Sequence, residues 1–302
     1  MNDKVRNLIR AVAMNDIREA KQWVKVITES DSTKSNRPFC KYILNQLQVS
    51  SLNLMELPHD IKGILLMEDV SMTFNENRYF LSEREDAVTE EVLGMYETSQ
   101  KLSEMGIRYL NSLMLHGESG TGKTLFGRYL AYMIGLPFAY MNFSNAISSY
   151  LGSTAKNINK AFEFIGNHKC VFMIDEVDAI GMKRGKEDVG EMARVTIGLM
   201  QALDCVRNDT VLIGATNRLD MIDPALLRRF TMIHEVAKFS EQEMFLMVSK
   251  FLDDVGVKYS DINIIDYCGK SLNSQALVMN DVIRAIAKSI RNNTEFRLMT
   301  EG

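Results

Sequence analysis

The sequence of 302 residues contains little cysteine, proline or tryptophan, with 4, 4 and 1 of each. The cysteines are far apart, and neither they nor the 4 histidines have the spacing of a metal site, which argues against a disulfide framework or a structural zinc. No apolar run approaches the roughly 20 residues that cross a bilayer, and the N-terminus lacks a signal-peptide pattern. These absences predict a reduced, cytoplasmic protein without a membrane partner.

An excess of positive charge is also missing, because 35 basic and 39 acidic residues give a net charge of -4. Proteins that bind nucleic acid usually carry a broad basic surface, so nucleic acid is not the expected partner. A content of 46% hydrophobic and 25% charged residues is typical of a soluble globular protein. The length indicates two or three domains.

The most informative motif is a phosphate-binding loop between an apolar segment and a helical one. It reads Gly117-Glu118-Ser119-Gly120-Thr121-Gly122-Lys123-Thr124, which fills the P-loop template G-x-x-x-x-G-K-S/T. Glycines let backbone N–H groups approach phosphate oxygens, Lys123 reaches the outer phosphates, and the Thr124 hydroxyl binds Mg²⁺. The loop therefore predicts a nucleoside triphosphate and Mg²⁺ as cofactors. The predicted nucleotide contacts are this whole loop together with Leu125 and Asp175.

Two adjacent acids follow a second apolar segment, Cys170 to Ile174. Asp175 is predicted to hold Mg²⁺ through its water shell, and Glu176, on the other face of the strand, to polarise the attacking water. Paired acids at a strand end are also common as solvated turns, but the P-loop in the same chain favours the catalytic interpretation. Asp178 is predicted to have a structural role.

Strand-like and helix-like segments alternate after the P-loop, which predicts an α/β fold. We expect the parallel five-stranded sheet of a P-loop NTPase with helices on both faces. The strands are predicted near residues 113–115, 138–142, 170–174, 211–215 and 231–236. The predicted domains are an N-terminal helical region (1–65) that is a candidate for partner or adaptor binding, a linker with an amphipathic helix (66–105), a large α/β ATPase subdomain (106–237) and a C-terminal helical lid (238–302).

Four segments together resemble the AAA subfamily of AAA+ ATPases. Besides the P-loop they are Asp175-Glu176-Val177-Asp178-Ala179-Ile180-Gly181, Gly214-Ala215-Thr216-Asn217-Arg218 and Asp223-Pro224-Ala225-Leu226-Leu227-Arg228-Arg229-Phe230. They occur in the family's order and at its usual separations, and the resemblance covers about residues 106–292. It implies an enzyme that hydrolyses ATP to ADP and phosphate with Mg²⁺.

The resemblance implies catalytic roles beyond those of Lys123 and Glu176. Asn217 is similar to the sensor that aligns the attacking water, since its amide can donate and accept at once. Arg228 and Arg229 are similar to the paired arginine fingers that act in the nucleotide site of a neighbouring subunit, which implies a homo-hexameric ring. No Pro-Gly insert separates the two arginines, and this spacing resembles that of the spastin and katanin branch.

A further similarity implies a protein substrate. Tyr150, Leu151 and Gly152 resemble the aromatic-hydrophobic-glycine loop that lines the central channel of family hexamers, although Tyr150 can also be read as a core residue at a helix start. Two segments depart from the family's pattern. Asp204-Cys205-Val206 stands where Asp-Gly-Phe is usual, and Ser274-Gln275-Ala276 where Ser-Gly-Ala is usual.

The leading functional hypothesis is a hexameric unfoldase or remodelling motor that draws a polypeptide through its channel and serves a separate protease or effector protein. The alternative is a nucleotide-controlled scaffold or switch, against which the intact pair Asp175 and Glu176 argues. A nucleic-acid motor is less favoured, because the chain is acidic and Tyr150 stands where a basic residue would contact phosphates.

Overall fold

The computed structural model of the protein describes residues 3–13, 17–31, 33, 36–49, 57, 61, 63–143, 154–180, 189–206, 209–270 and 273–299. The strands are β1 (Leu65–Glu68), β2 (Asn111–His116), β3 (Phe138–Asn142), β4 (Val171–Asp175), β5 (Val211–Thr216) and β6 (Met232–Glu235). The helices are α1 (Asp3–Ala13), α2 (Ile17–Ser30), α3 (Arg37–Val49), α4 (Val70–Thr73), α5 (Glu83–Glu104), α6 (Lys123–Ile134), α7 (Thr154–Gly166), α8 (Val189–Leu203), α9 (Pro224–Leu227), α10 (Glu241–Asp254), α11 (Asp261–Lys270) and α12 (Gln275–Asn292).

The described strands form one six-stranded sheet in the order β1-β3-β4-β5-β2-β6. β2 through β6 are parallel to their neighbours, and β1 pairs antiparallel with β3 at the edge. The central strands β2 and β5 consist almost entirely of buried residues, as expected for a parallel sheet covered on both faces. The predicted α/β fold is confirmed.

The edge strand β1 is the part of the sheet that sequence patterns did not predict. Its four residues lie at the boundary between the predicted N-terminal helical region (1–65) and the predicted linker (66–105), and the residues of β3 with which they pair are about 70 positions or more further along the chain. Such a short strand offers too few alternations for a period of two to be recognised. The predicted linker therefore includes a strand of the sheet, and the predicted domain boundaries stay a prediction.

Alternation along each strand divides the hydrophobic core into two layers. On one face, Leu113 of β2 and Met173 of β4 pack with Phe126 of α6 and Val92 of α5. On the other face, residues one position along the same strands pack against α7 and α8. Those residues are Met114, Phe172 and Ile174, with Ile158, Phe162, Val195 and Leu199 from the helices. Helices thus cover both faces because successive strand side chains point in opposite directions.

The C-terminal helices α10 to α12 pack around a third hydrophobic cluster that includes Val248, Ile264 and Val278. α10 begins with a capping box of Ser240 and Glu243, in which each side chain accepts a hydrogen bond from the other residue's backbone N–H. The helical character predicted for this region is therefore observed.

The N-terminal helices are joined to the sheet by a buried ion pair. Lys21 Nζ of α2 lies 3.0 Å from Asp69 Oδ2, in the turn between β1 and α4. Both side chains are almost fully buried. No helix in the described ranges combines the length and the apolar character that crossing a bilayer requires.

The packing of β5 can be tested at Gly214, where an added Cβ would come within 2.8 Å of the Met114 side chain and the Phe230 ring. We expect Gly214→Ala to lower the free energy of unfolding by about 1–3 kcal/mol, because the surrounding side chains must shift to admit the methyl group. Chemical denaturation followed by circular dichroism measures this change.

Gly94 provides the matched control, because it is an exposed residue of α5 with no atom within 4 Å of its Cβ position. Gly94→Ala should raise the free energy of unfolding by about 0.5–1 kcal/mol through the backbone entropy of the unfolded chain. Equal stability of the two variants would contradict the close packing described for β5.

Candidate active site

The phosphate-binding loop connects the carboxyl end of β2 to the first residue of α6. Gly117, Gly120 and Gly122 have φ angles of 147°, 81° and 99°, which side chains of L-residues rarely allow. A Cβ at Gly117 would also collide with the carbonyl group of Val236. The loop conformation therefore depends on the glycines of the motif, and the loop leads into the N-terminus of α6, a position where backbone N–H groups can bind anions.

Lys123 lies folded over this loop. Its Nζ donates hydrogen bonds to Gly117 O at 2.8 Å, Glu118 O at 2.9 Å and Asn217 Oδ1 at 2.6 Å. Burial lowers the pKa of Lys123, and the negative charges of Asp175 and Asp178 oppose that shift. The structure thus brings together the P-loop lysine and the predicted sensor asparagine, although they are 94 positions apart in the sequence.

Asp175, the last residue of β4, faces the first turn of α6. Thr124 Oγ1 lies 3.2 Å from Asp175 Oδ2, and the backbone N–H of Glu176 donates to Asp175 Oδ1 at 2.8 Å. A hydroxyl and a carboxylate at this distance form an all-oxygen donor set, which suits Mg²⁺. The two predicted metal ligands are therefore adjacent in the fold.

Tyr140 of β3 is a site residue that sequence analysis missed. Its hydroxyl donates to Asp175 Oδ2 at 3.1 Å. Burial and the Asp175 charge raise the pKa of Tyr140 to about 12, so the phenol keeps the proton that it donates. The signal for this contact is the parallel register, which places β3 beside β4 and pairs Asn142 with Asp175.

Glu176 has a left-handed backbone, with a φ angle of 56°. This conformation costs a residue other than glycine about 1–3 kcal/mol, and such strain is concentrated at functional sites. The side chain is partly exposed, and within the described residues it makes no hydrogen bond. A carboxylate held in this way at the end of β4 remains available to accept a proton from water.

The end of β5 is fixed by Asp178, which is buried. Thr216 Oγ1 donates to Asp178 Oδ1 at 2.7 Å and accepts from the backbone N–H of Arg218 at 2.9 Å. Asn217 lies between these two anchored residues. The geometry agrees with a structural role of Asp178 in orienting the sensor asparagine.

The C-terminal helices reach the phosphate loop directly. The backbone N–H of Ala276, in the first turn of α12, donates to Gly120 O at 3.0 Å, and Ser274 packs against the same glycine. Lys238 Nζ lies 2.9 Å from Glu118 Oε2, which adds an exposed ion pair. The segment that departs from the family's pattern is thus in contact with the P-loop.

A cavity of about 380 Å³ opens beside the loop, between the segment before α5 and the C-terminal helices. Its walls are largely apolar and aromatic, and the loop contributes Thr121 and Gly122. The other walls include Phe74, Tyr79, Phe80, Phe239, Met247, Phe251, Gln275 and Met279. Apart from Gln275, sequence analysis did not single out these residues, because they are apolar or aromatic and come from distant parts of the chain.

The two predicted arginine fingers differ in their contacts. Arg229 forms a bidentate pair with Asp204, with both N–O distances 3.0 Å. The Arg228 side chain is exposed and makes no hydrogen bond or ion pair with another described residue, although its backbone N–H donates to Pro224 O. Arg229 O accepts from Ser112 Oγ at 2.9 Å, which places both arginines near the amino end of β2, while the P-loop follows its carboxyl end.

The predicted channel residues Tyr150, Leu151 and Gly152 lie outside the described residues. Within the described ranges, no three His, Cys, Asp or Glu side chains are clustered as a metal site would require. The four cysteines are free, and burial raises the pKa of the Cys170 and Cys268 thiols.

The chain is similar in sequence to several known proteins that are named as ATPases, nucleotidases or ATP-dependent enzymes. An uncharacterised AAA family ATPase of Sinorhizobium fredii is 29% identical over 75% of this chain and 70% of its own length. A proteasome-activating nucleotidase of Methanosphaerula palustris is 30% identical over 70% of this chain and 53% of its own length. The ATP-dependent zinc metalloprotease FtsH 1 of Conexibacter woesei is 30% identical over 63% of this chain and 30% of its own length.

The contact between Tyr140 and Asp175 predicts a change in the Mg²⁺ requirement. We expect Tyr140→Phe to raise the Mg²⁺ concentration that gives half-maximal ATP hydrolysis by about tenfold, because the carboxylate loses a donor that orients it. A Mg²⁺ titration of the hydrolysis rate measures this. Tyr132→Phe is the matched control, since it removes a comparable hydroxyl contact to Glu76 at 3.2 Å. Coincident titrations of the two variants would contradict the assignment.

Residues 113–238 match the family described as ATPase family associated with various cellular activities (AAA). This range contains the phosphate loop, both acids, the asparagine predicted to be a sensor and the two predicted finger arginines. The chain spans about half or less of the length of the nucleotidase and the metalloprotease that it matches. The prediction of an ATPase is confirmed at the level of the domain, and the spastin and katanin branch stays a prediction. Residues 113–238 form an AAA ATPase domain.

Proposed function

We propose that this chain is a Mg²⁺- and ATP-dependent motor that assembles as a homo-hexameric ring and unfolds or remodels proteins. In this proposal a polypeptide is drawn through the central channel, and a separate protease or effector receives it. The observation that carries the proposal is the position of Arg228.

Arg228 is too far from the phosphate loop of its own subunit to act there. The backbone carbonyl of the neighbouring Arg229 accepts a hydrogen bond from Ser112. Along β2, Gly117 lies roughly 16 Å from Ser112, at about 3.3 Å per strand residue. A guanidinium that neutralises charge on the transferred phosphoryl group must contact it. Arg228 is exposed, so it is available to the nucleotide site of a second copy. Head-to-tail contacts of this kind close into rings.

The residues at the loop have the contacts that hydrolysis requires. Thr124 and Asp175 would hold Mg²⁺, which when bound neutralises charge between the outer phosphates. Lys123 binds phosphate oxygens, Glu176 accepts a proton from the attacking water, and Asn217 orients that water. The Lys123–Asn217 contact at 2.6 Å supports these roles, because it holds the sensor at the loop.

The cavity beside the loop supports a purine nucleotide. A volume of about 380 Å³ with apolar and aromatic walls lies in the usual range for pockets that bind small molecules. The phosphate loop forms one of its walls through Thr121 and Gly122, so a base in the cavity and phosphates on the loop can belong to one ligand. We therefore place the adenosine of ATP there.

Two relatives support protein substrates through their names. One is a proteasome-activating nucleotidase and another is an ATP-dependent zinc metalloprotease. The present sequence contains no H-E-x-x-H zinc-binding pattern. We propose that proteolysis linked to this chain takes place in a separate partner. Tyr150, Leu151 and Gly152 are proposed to line the channel, where an aromatic ring grips side chains with little dependence on sequence.

Subunit mixing tests whether Arg228 acts in trans. Lys123→Ala removes phosphate binding but leaves Arg228 intact. Arg228→Ala removes the proposed finger but leaves the phosphate loop intact. Each variant alone should hydrolyse ATP about 1,000-fold more slowly than wild type or worse. An equal mixture should recover activity at roughly a quarter of its interfaces, because random assembly pairs an intact site with an intact finger at that frequency.

The matched control for mixing is Arg284→Ala, which removes an arginine of α12 with 72% of its side chain exposed. It should hydrolyse ATP at the wild-type rate in isolation. A mixture no more active than its separate components, in assemblies verified by size, would contradict action in trans. Wild-type hydrolysis by an Arg228→Ala monomer would contradict the finger itself.

The channel is tested at Tyr150. Tyr150→Ala should keep ATP hydrolysis within about twofold of wild type, because Tyr150 belongs to none of the nucleotide-binding motifs of the sequence, yet it should lose unfolding. The readout is the fluorescence of green fluorescent protein that carries an unstructured tail. Tyr150→Phe is the control and should retain unfolding, since it keeps the ring. Unfolding by the alanine variant at the wild-type rate would rule out threading by this loop.

A further inference from the structure

Gln275 carries a buried hydrogen-bond acceptor that has no partner. It is the first residue of α12, and only 5% of its surface is exposed. Its Nε2 donates to Ala237 O at 2.9 Å, whereas its Oε1 is buried without a hydrogen bond to any described residue. Because a backbone carbonyl can only accept, the contact with Ala237 fixes which end of the amide is the acceptor.

An unpaired buried acceptor is costly, and almost all such groups in folded proteins have a partner. The surroundings of Gln275 indicate where that partner comes from. Gln275 lines the cavity of about 380 Å³ beside Thr121 and Gly122 of the phosphate loop. The backbone N–H of the next residue, Ala276, donates a hydrogen bond to Gly120 O of the same loop at 3.0 Å. The acceptor therefore belongs to a side chain at the junction of cavity and loop.

Two other polar side chains of the cavity, Glu85 and Arg128, do not offer the same chemistry. Glu85 is engaged in a capping box, in which Ser82 N–H donates to Glu85 Oε2 at 3.1 Å. Arg128 binds Glu68 through Nη2 at 2.6 Å, and its Nε is buried without a partner. That atom is a donor, so it would be satisfied by a different ligand group from the one that Gln275 needs.

We propose that Gln275 is a specificity-determining residue whose Oε1 accepts a hydrogen bond from the nucleoside of bound ATP. Two groups of ATP can donate it, the exocyclic amine of adenine and a ribose hydroxyl. A purine with a carbonyl in place of the amine presents an acceptor and leaves Oε1 unpaired. Glycine, which the related pattern has at this position, offers no side chain for such a contact. The inference rests on the ATP site of the proposed function.

Competition binding tests the inference. A fluorescent ATP analogue is displaced from the full chain by ATP, by inosine triphosphate and by 2′- and 3′-deoxyATP. The analogue that lacks the group bound by Gln275 should compete about 5- to 100-fold more weakly than ATP. A loss with inosine triphosphate identifies the base amine, and a loss with one deoxy nucleotide identifies the ribose. Equal competition by all four on wild type overturns the inference without any variant.

Gln275→Met locates the effect, since methionine has a similar length and no acceptor of comparable strength. In this variant, ATP and the analogue that wild type disfavours should compete within about twofold of each other. The difference between ATP and each of the other analogues should stay as in wild type. Met247→Leu is the matched control, because it alters the same cavity without changing a hydrogen bond, and it should keep the wild-type preference. Gln275→Met with the full wild-type preference overturns the inference. A wild-type chain that binds none of the four nucleotides overturns the nucleotide site itself, which is a different result.

Discussion

Parallel pairing of β5 with β2 on one side and with β4 on the other is the constraint on which the candidate active site depends. In a parallel sheet all carboxyl ends meet at one edge, and the observed register aligns His116 with Thr216 and Ile174 with Gly214. The phosphate loop, the two acids and the predicted sensor asparagine follow the ends of these three strands. Ligands of open α/β sheets bind at this edge for the same reason. The strand order therefore determines which segments meet at the site, and the side chains of those segments provide its chemistry.

Local strain at this edge is stabilised by the packing beneath it. Glu176 has a left-handed backbone, and Lys123 is buried with its positive charge. The left-handed backbone costs about 1–3 kcal/mol, and a buried charge without partners costs several kcal/mol or more. β4 and β5 bury nearly all their residues between two layers of helices, so the strand ends cannot relax. Asp178 adds a buried hydrogen bond that fixes the end of β5. Rigidity of the strands is what keeps a strained carboxylate in place.

Sequence patterns were sufficient where one short segment contains its own chemistry. The P-loop and the acids after β4 belong to this class, and the alternation of strands and helices predicted the fold. They failed where a contact joins distant segments, as in the pairing of β1 with β3, the hydroxyl of Tyr140 at Asp175, and the contact of Ala276 with Gly120. Neither partner of such a contact is unusual in its own neighbourhood, so only the three-dimensional register reveals it. Roles that require contact with another subunit also depend on a three-dimensional arrangement, so the sequence alone does not establish them.

The buried ion pair between Lys21 and Asp69 gives the N-terminal helices a mechanical connection to the ATPase domain. Removing one partner of a buried pair usually costs about 3–5 kcal/mol, because the remaining charge is left in an apolar environment. Asp69 directly follows β1, which is hydrogen-bonded along β3. The ion pair thus connects α2, through Asp69 and the β1–β3 ladder, to the strand that pairs with β4. The N-terminal helices and the two acids at the end of β4 are therefore linked by a continuous path of one ion pair and two strand ladders.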